Sequence, residues 1–334
     1  MADDKEHYFH AEARALQGRL SLPFEQEIKQ QAFVKLEGKL AELTEEKRRQ
    51  RNYFSQHAKN FRLEGIVSYS AAHTQVSGHE SKKHRRASVT LATSVVEDFN
   101  ALNVVTADRL VAQISTTHFP GVQAPAVTFL GTHFENLRIA RHPAEPFLNL
   151  GVCGAMPSNL SQEKEDKKKK AAMYVERGTG LMSAVEAQYK NLKAKLAELG
   201  SDKIAGLLAE KYPEFPDLNY AAIKDKAQKA HQDPQAGPGN WDGIACSLVE
   251  YVEIKDINVE APDGKVVKIP PPAKSAGHVI HIPDFGTIFL AELSVSHNSF
   301  HLTMIRLELG CLADGSLGVG NCVVNGKGGK GGTR

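Results

Sequence analysis

Histidine is the residue type in this sequence best suited to chemistry. Fourteen are spread along 334 residues, and a neutral imidazole can ligate a transition metal or move a proton near neutral pH. The most suggestive spacing is His133-Phe134-Glu135. Residues two apart on a strand project from one face, so this pair offers a nitrogen and an oxygen ligand side by side. His278, His281 and Asp284 lie on the approach to the last long hairpin pattern. If two sheets bring them together, His133, Glu135, His281 and His118 form an N/O site for a divalent metal, serving hydrolytic or oxidative chemistry. Against this, His278 and His281 are three apart, and a regular strand turns them to opposite faces. Hydrogen-bonded strand histidines are the plainer reading. A second motif, His79-Glu80-Ser81-Lys82-Lys83-His84, fails as a zincin helix, which needs its histidines four apart. An interval of five places the second about 100° further round, amid Lys82, Lys83, Arg85 and Arg86, which repel a cation.

Other chemistries leave no trace. There is no G-x-S-x-G nucleophile turn and no G-x-x-x-x-G-K-[ST] phosphate loop. Lys167 to Lys170 follow Glu163, Glu165 and Asp166, which offset them, and no aromatics interleave for base stacking. That run reads as a solvated face. The basic clusters at Lys47, Arg48, Arg49 and Arg51 and at Lys82 to Arg86 are weak polyanion candidates at most. Trp241 reads as a plug at a junction between segments rather than a sugar platform. The four cysteines, Cys153, Cys246, Cys311 and Cys322, form no C-x-x-C and read as small buried hydrophobes. A Cys311–Cys322 disulfide is the less favoured alternative.

The elements that would position these side chains centre on Gly286 to Gly310. A reversal at Ser296-His297-Asn298-Ser299 pairs Val295 with Phe300, Leu293 with Leu302, Ala291 with Met304 and Phe289 with Arg306 on one face. The other face then holds Ser294 beside His301, Glu292 beside Thr303, Leu290 beside Ile305 and Ile288 beside Leu307. Strict alternation thus predicts a tip wet on one side and a base buried on both. Short alternating segments bounded by Pro, Gly or Asn run from Phe61 to about 157 and resume at CSLVEYVEI, with a hairpin at Asp263-Gly264. Without crossover segments between them, these strands predict antiparallel sheets. Between the two runs, Leu181, Val185, Tyr189, Leu192, Leu196 and Leu199 make one helical stripe. Near the N-terminus, FHAEARAL fits helix and strand equally, while KLAELTEEKRRQRNYFSQHAKN predicts a helix.

The fold expected is mainly β (α+β overall): an antiparallel β-sandwich or partly open barrel with a helical insertion. Its parts are an N-terminal helical or extended arm over 1–60, a discontinuous body over 61–157 and 241–325, a helical insertion over 158–240 and a flexible tail over 326–334. Forty-one Lys and Arg against 39 Asp and Glu leave a net charge of +2, which does not direct the chain to nucleic acid. No apolar run nears the roughly 18 residues of a membrane helix, and the acidic start, MADDKEHYFH, lacks signal-peptide character. The location expected is therefore cytoplasmic. The function expected is a non-catalytic scaffold or interaction module that forms a homo-oligomer and needs no cofactor. The alternatives are the divalent-metal enzyme above and a small-ligand carrier in a β-barrel.

Overall fold

The computed structural model describes residues 7–39, 52–81, 87–118, 125–153, 244–296, 299–310, 313–324 and 332–333, with helical residues at 185, 187, 188, 190–192, 194 and 195. The N-terminal strands are β1 (His7–Leu22), β2 (Gln26–Gln31), β3 (Val34–Lys39), β4 (Asn52–Leu63), β5 (Val67–Glu80), β6 (Ser88–Ala101) and β7 (Val105–His118). Short strands follow: β8 (Ala126–Thr128), β9 (His133–Glu135), β10 (Arg138–Ile139) and β11 (His142–Leu148). After the segment that holds the helical residues come β12 (Ile244–Ser247), β13 (Val249–Ile254), β14 (Ile257–Glu260), β15 (Val266–Ile269), β16 (Lys274–Ala276) and β17 (Val279–Ile282). The last are β18 (Gly286–Ser296), β19 (Ser299–Gly310), β20 (Asp314–Val324) and β21 (Gly332–Thr333).

Among the described residues these strands form two large antiparallel sheets, neither closed into a barrel. The first runs β16-β17-β18-β19-β20-β1-β2, with β3 and β21 also on β1 and β12 on β18. The second runs β13-β11-β10-β7-β6-β5-β4, with β8 and β9 on β7. The architecture is a β-sandwich. Phe9, Leu16 and Leu20 from one end of the chain meet Leu293, Ile305 and Val319 from the other in a single interior, opposite Val76, Ala92, Leu110 and Ile114. The hairpin register is the expected one, from Ile288–Leu307 to Val295–Phe300, except that Ala291 and Met304 do not pair.

That missing pair belongs to a line crossing the sheet. Ala291, Met304, Gly320 and Ala15 occupy one row of four neighbouring strands, continued by Ala32 in the bend between β2 and β3, and the ladder skips all of them. Ala291, Gly320 and Ala32 take positive φ (44°, 63° and 46°). A residue spent this way reverses the in–out alternation, as in a bulge. Inward positions therefore run Phe9, Ala11, Ala13 and then Leu16, Leu20; likewise Val295, Leu293 and then Leu290, Ile288. The second sheet carries a matching row at Asn60, Ser70, Asp98, Asp108 and Asn136, where Asn60, Asp98 and Asn136 have φ of 54°, 51° and 49°. There the row faces solvent, and Ser70 donates to Asp98 at 2.6 Å while Asn136 donates to Asp108 at 2.6 Å.

Four expectations are corrected by this arrangement. The base of the last hairpin is buried on both faces, as expected, but its outer face is not apolar: the reversal gathers Leu290, Ile305, Ile288 and Leu307 inward with Leu293 and Leu302, and leaves Glu292, Thr303 and Arg306 together on the outer face. Nor are residues 1–60 an arm. β1 lies inside the first sheet between β20 and β2/β3, its alternating Phe9, Ala11, Ala13 and Ala15 fully buried. The helix expected around residues 39–60 is a strand over 52–60, because pairing with β5 along the length of β4 overrides helix propensity; residues 40–51 lie outside the described set. At the other end, Gly332 and Thr333 of the expected free tail pair with Tyr8 and His7.

Candidate interaction surface

The four residues expected to hold a metal do not converge. His133 and Glu135 both point into solvent from β9, opposite Val111 and Arg109 of β7, and His133 Nδ1 meets the Gly131 carbonyl at 2.7 Å. His118 is buried at the far end of β7, seven residues beyond Val111 or roughly 23 Å along the strand. His281 stands on β17 of the other sheet, its Nδ1 3.4 Å from Thr287 Oγ1. Among the described residues, no three His, Cys, Asp or Glu side chains gather to hold a metal ion. Trp241, Cys311, Lys82 to Arg86 and most of the expected insertion fall outside the described residues. Cys322 and Cys246 are buried thiols, outside any disulfide.

A largely buried charge cluster lies on the outer face of the central hairpin. Arg306 donates through Nε and Nη2 to the two oxygens of Glu292, at 2.6 and 3.0 Å, and through Nη1 to Glu308. Ser316 donates to Glu308 at 3.0 Å. Burial alone would lower the basicity of Arg306, yet its bonds and charge contacts with Glu292 and Glu308 raise it above the ordinary arginine value. His278, fully buried nearby, is pushed down to about 4 by burial, with Glu292 opposing and Arg306 reinforcing. All three guanidinium nitrogens are thus engaged by carboxylates within the protein.

What the fold leaves unused is a projecting arm. Among the described residues β14 and β15 pair only with each other, from Ile257–Ile269 to Glu260–Val266, and the Asp263-Gly264 turn closes them with Gly264 at φ 76°. Val259, Val266, Val267 and Ile269 are all exposed, Val266 by 68%. The root of the arm is fixed: the Lys255 amide donates to Pro143 O at 2.9 Å, Lys255 Nζ meets Glu145 at 2.5 Å, and His142 Nδ1 contacts Lys255 O at 3.0 Å. Beside the root, Phe147 and Tyr251 stack at 4.2 Å with 39% and 50% of their surface exposed. A lone two-stranded hairpin is marginal in water, and this one leaves four aliphatic side chains exposed.

A second exposed feature is the edge strand β4. It pairs with β5 along its length and, among the described residues, with nothing on its other side. Tyr53 and Phe54 are each about half exposed on its two faces. The strand carries His57, Lys59 and Arg62 and no acid. By contrast the edge β12 is sealed. Gln188, from the helical residues, donates to Ser247 O at 2.7 Å and accepts from Ser247 N at 2.9 Å, with Val185 and Leu192 buried against the body.

A model of the family described as Domain of unknown function (DUF8256) matches residues 7–296. The chain belongs to that family. The match spans β1 through β18, so it takes in strands of both sheets and the arm. No curated protein and no solved structure matches. Among the described residues no helix is long and apolar enough to cross a membrane.

Proposed function

We propose that this protein is a non-catalytic β-sandwich interaction module that associates with copies of itself through the β14–β15 arm. The observation that carries this is the arm itself, a hairpin rooted rigidly in the body yet exposing Val259, Val266, Val267 and Ile269. A second copy is the occupant that charge favours. The outer edge of β14 bears Glu260 and no base, while β4 bears His57, Lys59 and Arg62 and no acid. Both are open strand edges, and laying β14 of one copy along β4 of the next would extend the second sheet by main-chain hydrogen bonds. Aromatic contact from Tyr53 and Phe54 would cover the arm's aliphatic side chains. The reduced, buried thiols of Cys246 and Cys322 suit a reducing, cytoplasmic setting.

The test is sedimentation of the full chain beside a variant carrying Val259→Ser, Val266→Ser and Val267→Ser. The wild type should associate in a concentration-dependent way, and the variant should remain monomeric with unchanged circular dichroism. A strictly monomeric wild type at high concentration, or equal association by the variant, removes the reading.

A further inference from the structure

The chain leaves the second sheet at the end of β11 and re-enters the first sheet at β12, and the two stems of this excursion are tied together. The Asn149 amide donates to Leu248 O at 2.6 Å. Beyond it a turn over Asn149 to Val152 folds the outgoing chain back, held by Val152 N to Asn149 O at 3.4 Å and Gly151 N to Asn149 Oδ1 at 3.1 Å. A turn of this kind keeps its ends within about 7 Å. Cys153 is the next residue. On the returning stem, Cys246 stands two residues before Leu248, about 7 Å along the chain, in register with Leu293. Both cysteines pack on one apolar core, Cys246 with 2% of its surface exposed and Cys153 half-buried at the margin. The Cys246 thiol is pushed up by burial first and by Cys153 second, and one thiol acts on another in this way only at short range.

We propose that Cys153 and Cys246 are a reversible redox pair, which a small-molecule disulfide such as oxidised glutathione joins into an intramolecular bridge at the base of the excursion. Burial sets the order of steps. Cys153, the more accessible, loses its proton and attacks one sulfur of the oxidant. The oxidant's S–S bond breaks, and one small thiol leaves with a proton. Cys246 then loses its proton and attacks the Cys153 sulfur of the mixed disulfide, expelling the second small thiol, which takes up that proton. Two protein thiols give up two electrons, and one small disulfide is reduced to two thiols. Capping Cys153 also removes its charge from beside Cys246, one of the two influences that hold the Cys246 proton in place. In a reducing compartment such a bridge is transient and serves sensing rather than permanent bracing.

The bridge pins the stem that follows β11 of the second sheet to β12 of the first. Cys246 adjoins Ser247, whose amide and carbonyl are both taken by Gln188. Oxidation therefore fixes the strand edge against which Gln188 seals. The pair is separate from the arm and does not depend on self-association.

The experiment treats the native full chain with oxidised glutathione, blocks the remaining thiols with iodoacetamide and digests with trypsin without reduction. Mass spectrometry should find peptide 142–164 joined to peptide 230–255, and dithiothreitol should separate them. The oxidised protein should melt several degrees above the reduced one, because the bridge closes a long ring in the unfolded chain. Cys153→Ser should lose both the linked peptide and the rise. Where that variant does not fold, the wild type decides: its melting temperature must rise as the linked peptide forms and fall back with dithiothreitol. A native chain whose two cysteines end alkylated or glutathionylated but unlinked overturns the proposal. So does a bridge from either of them to another cysteine, or a linked form that melts with the reduced one.

Discussion

The guanidinium of Arg306 lies 3.6 Å over the ring centroid of Phe289, its partner across the β18–β19 ladder. On a regularly alternating strand, Glu292 would be turned to the face opposite Phe289, out of reach of Arg306. The positive φ of Ala291 brings it back, and the carboxylate closes on the guanidinium with two bonds. One backbone irregularity thus converts an apolar-on-both-sides hairpin into one with a dry inner face and an ionic outer face.

Removing one partner of this pair should cost far more than removing both. With side-chain exposures of 12% and 4%, Glu292→Ala leaves a nearly buried positive charge, and about 3–5 kcal/mol of stability should go. The double variant Glu292→Leu, Arg306→Met should recover most of the loss. Urea unfolding of the three proteins measures it; additive losses would show that the pair is not coupled.

The two sheets should also be separable by their shared hydroxyls. Thr74→Val and Ser94→Ala each leave an inward-turned carbonyl of the first sheet, Ala32 O or Arg14 O, without its donor. Each should destabilise by about 1–3 kcal/mol without changing the denaturant slope. Thr93→Val, whose residue faces outward and is half-buried, serves as the comparison and should cost less than either.

Acid should weaken the fold through His278. Its folded value of about 4 lies below the ordinary 6.5, so the unfolded chain takes up the proton first. The contribution is complete above about pH 6.5 and is lost as pH falls toward 4, at about 1.4 kcal/mol per unit, or roughly 2 kcal/mol by pH 5. Stability measured against pH should show this slope, and His278→Gln should flatten it between pH 6.5 and 5.

If β14 of one copy lies along β4 of the next, association should follow charge. Lys59→Glu should weaken it several-fold at low salt, in keeping with about 0.2–1 kcal/mol for an exposed pair. Glu260→Lys should do the same. Mixing the two variants should restore binding between unlike copies while each alone stays weak, and light scattering of the mixtures reads the outcome. Equal association in all combinations would place the contact elsewhere.

Much of the architecture is written locally. The Asp263-Gly264 turn, the register of the last hairpin and the antiparallel pairing of residues 61–139 follow from turn residues and from period-two patterning over short spans, where chain neighbours are also space neighbours. The arm is legible for the same reason: INVE and VVKI flank a turn that closes on itself. FHAEARAL is not, because helix and strand periods both fit it; only β20, arriving from more than 290 residues away to pair with β1, selects the strand. The ring contact between His118 and His7 shows the limit most plainly. His118 is among the residues that histidine chemistry singles out, but its neighbour His7 lies 111 positions earlier and in the other sheet. The burial of His7 without a hydrogen-bond partner is a property no string displays. The skipped rows are also tertiary, since each requires four strands and an adjoining bend to change face together. Sequence periodicity fixes which way a side chain points relative to its neighbours along the strand; which strands lie across from one another, and where all of them reverse, is decided by packing two sheets over one interior.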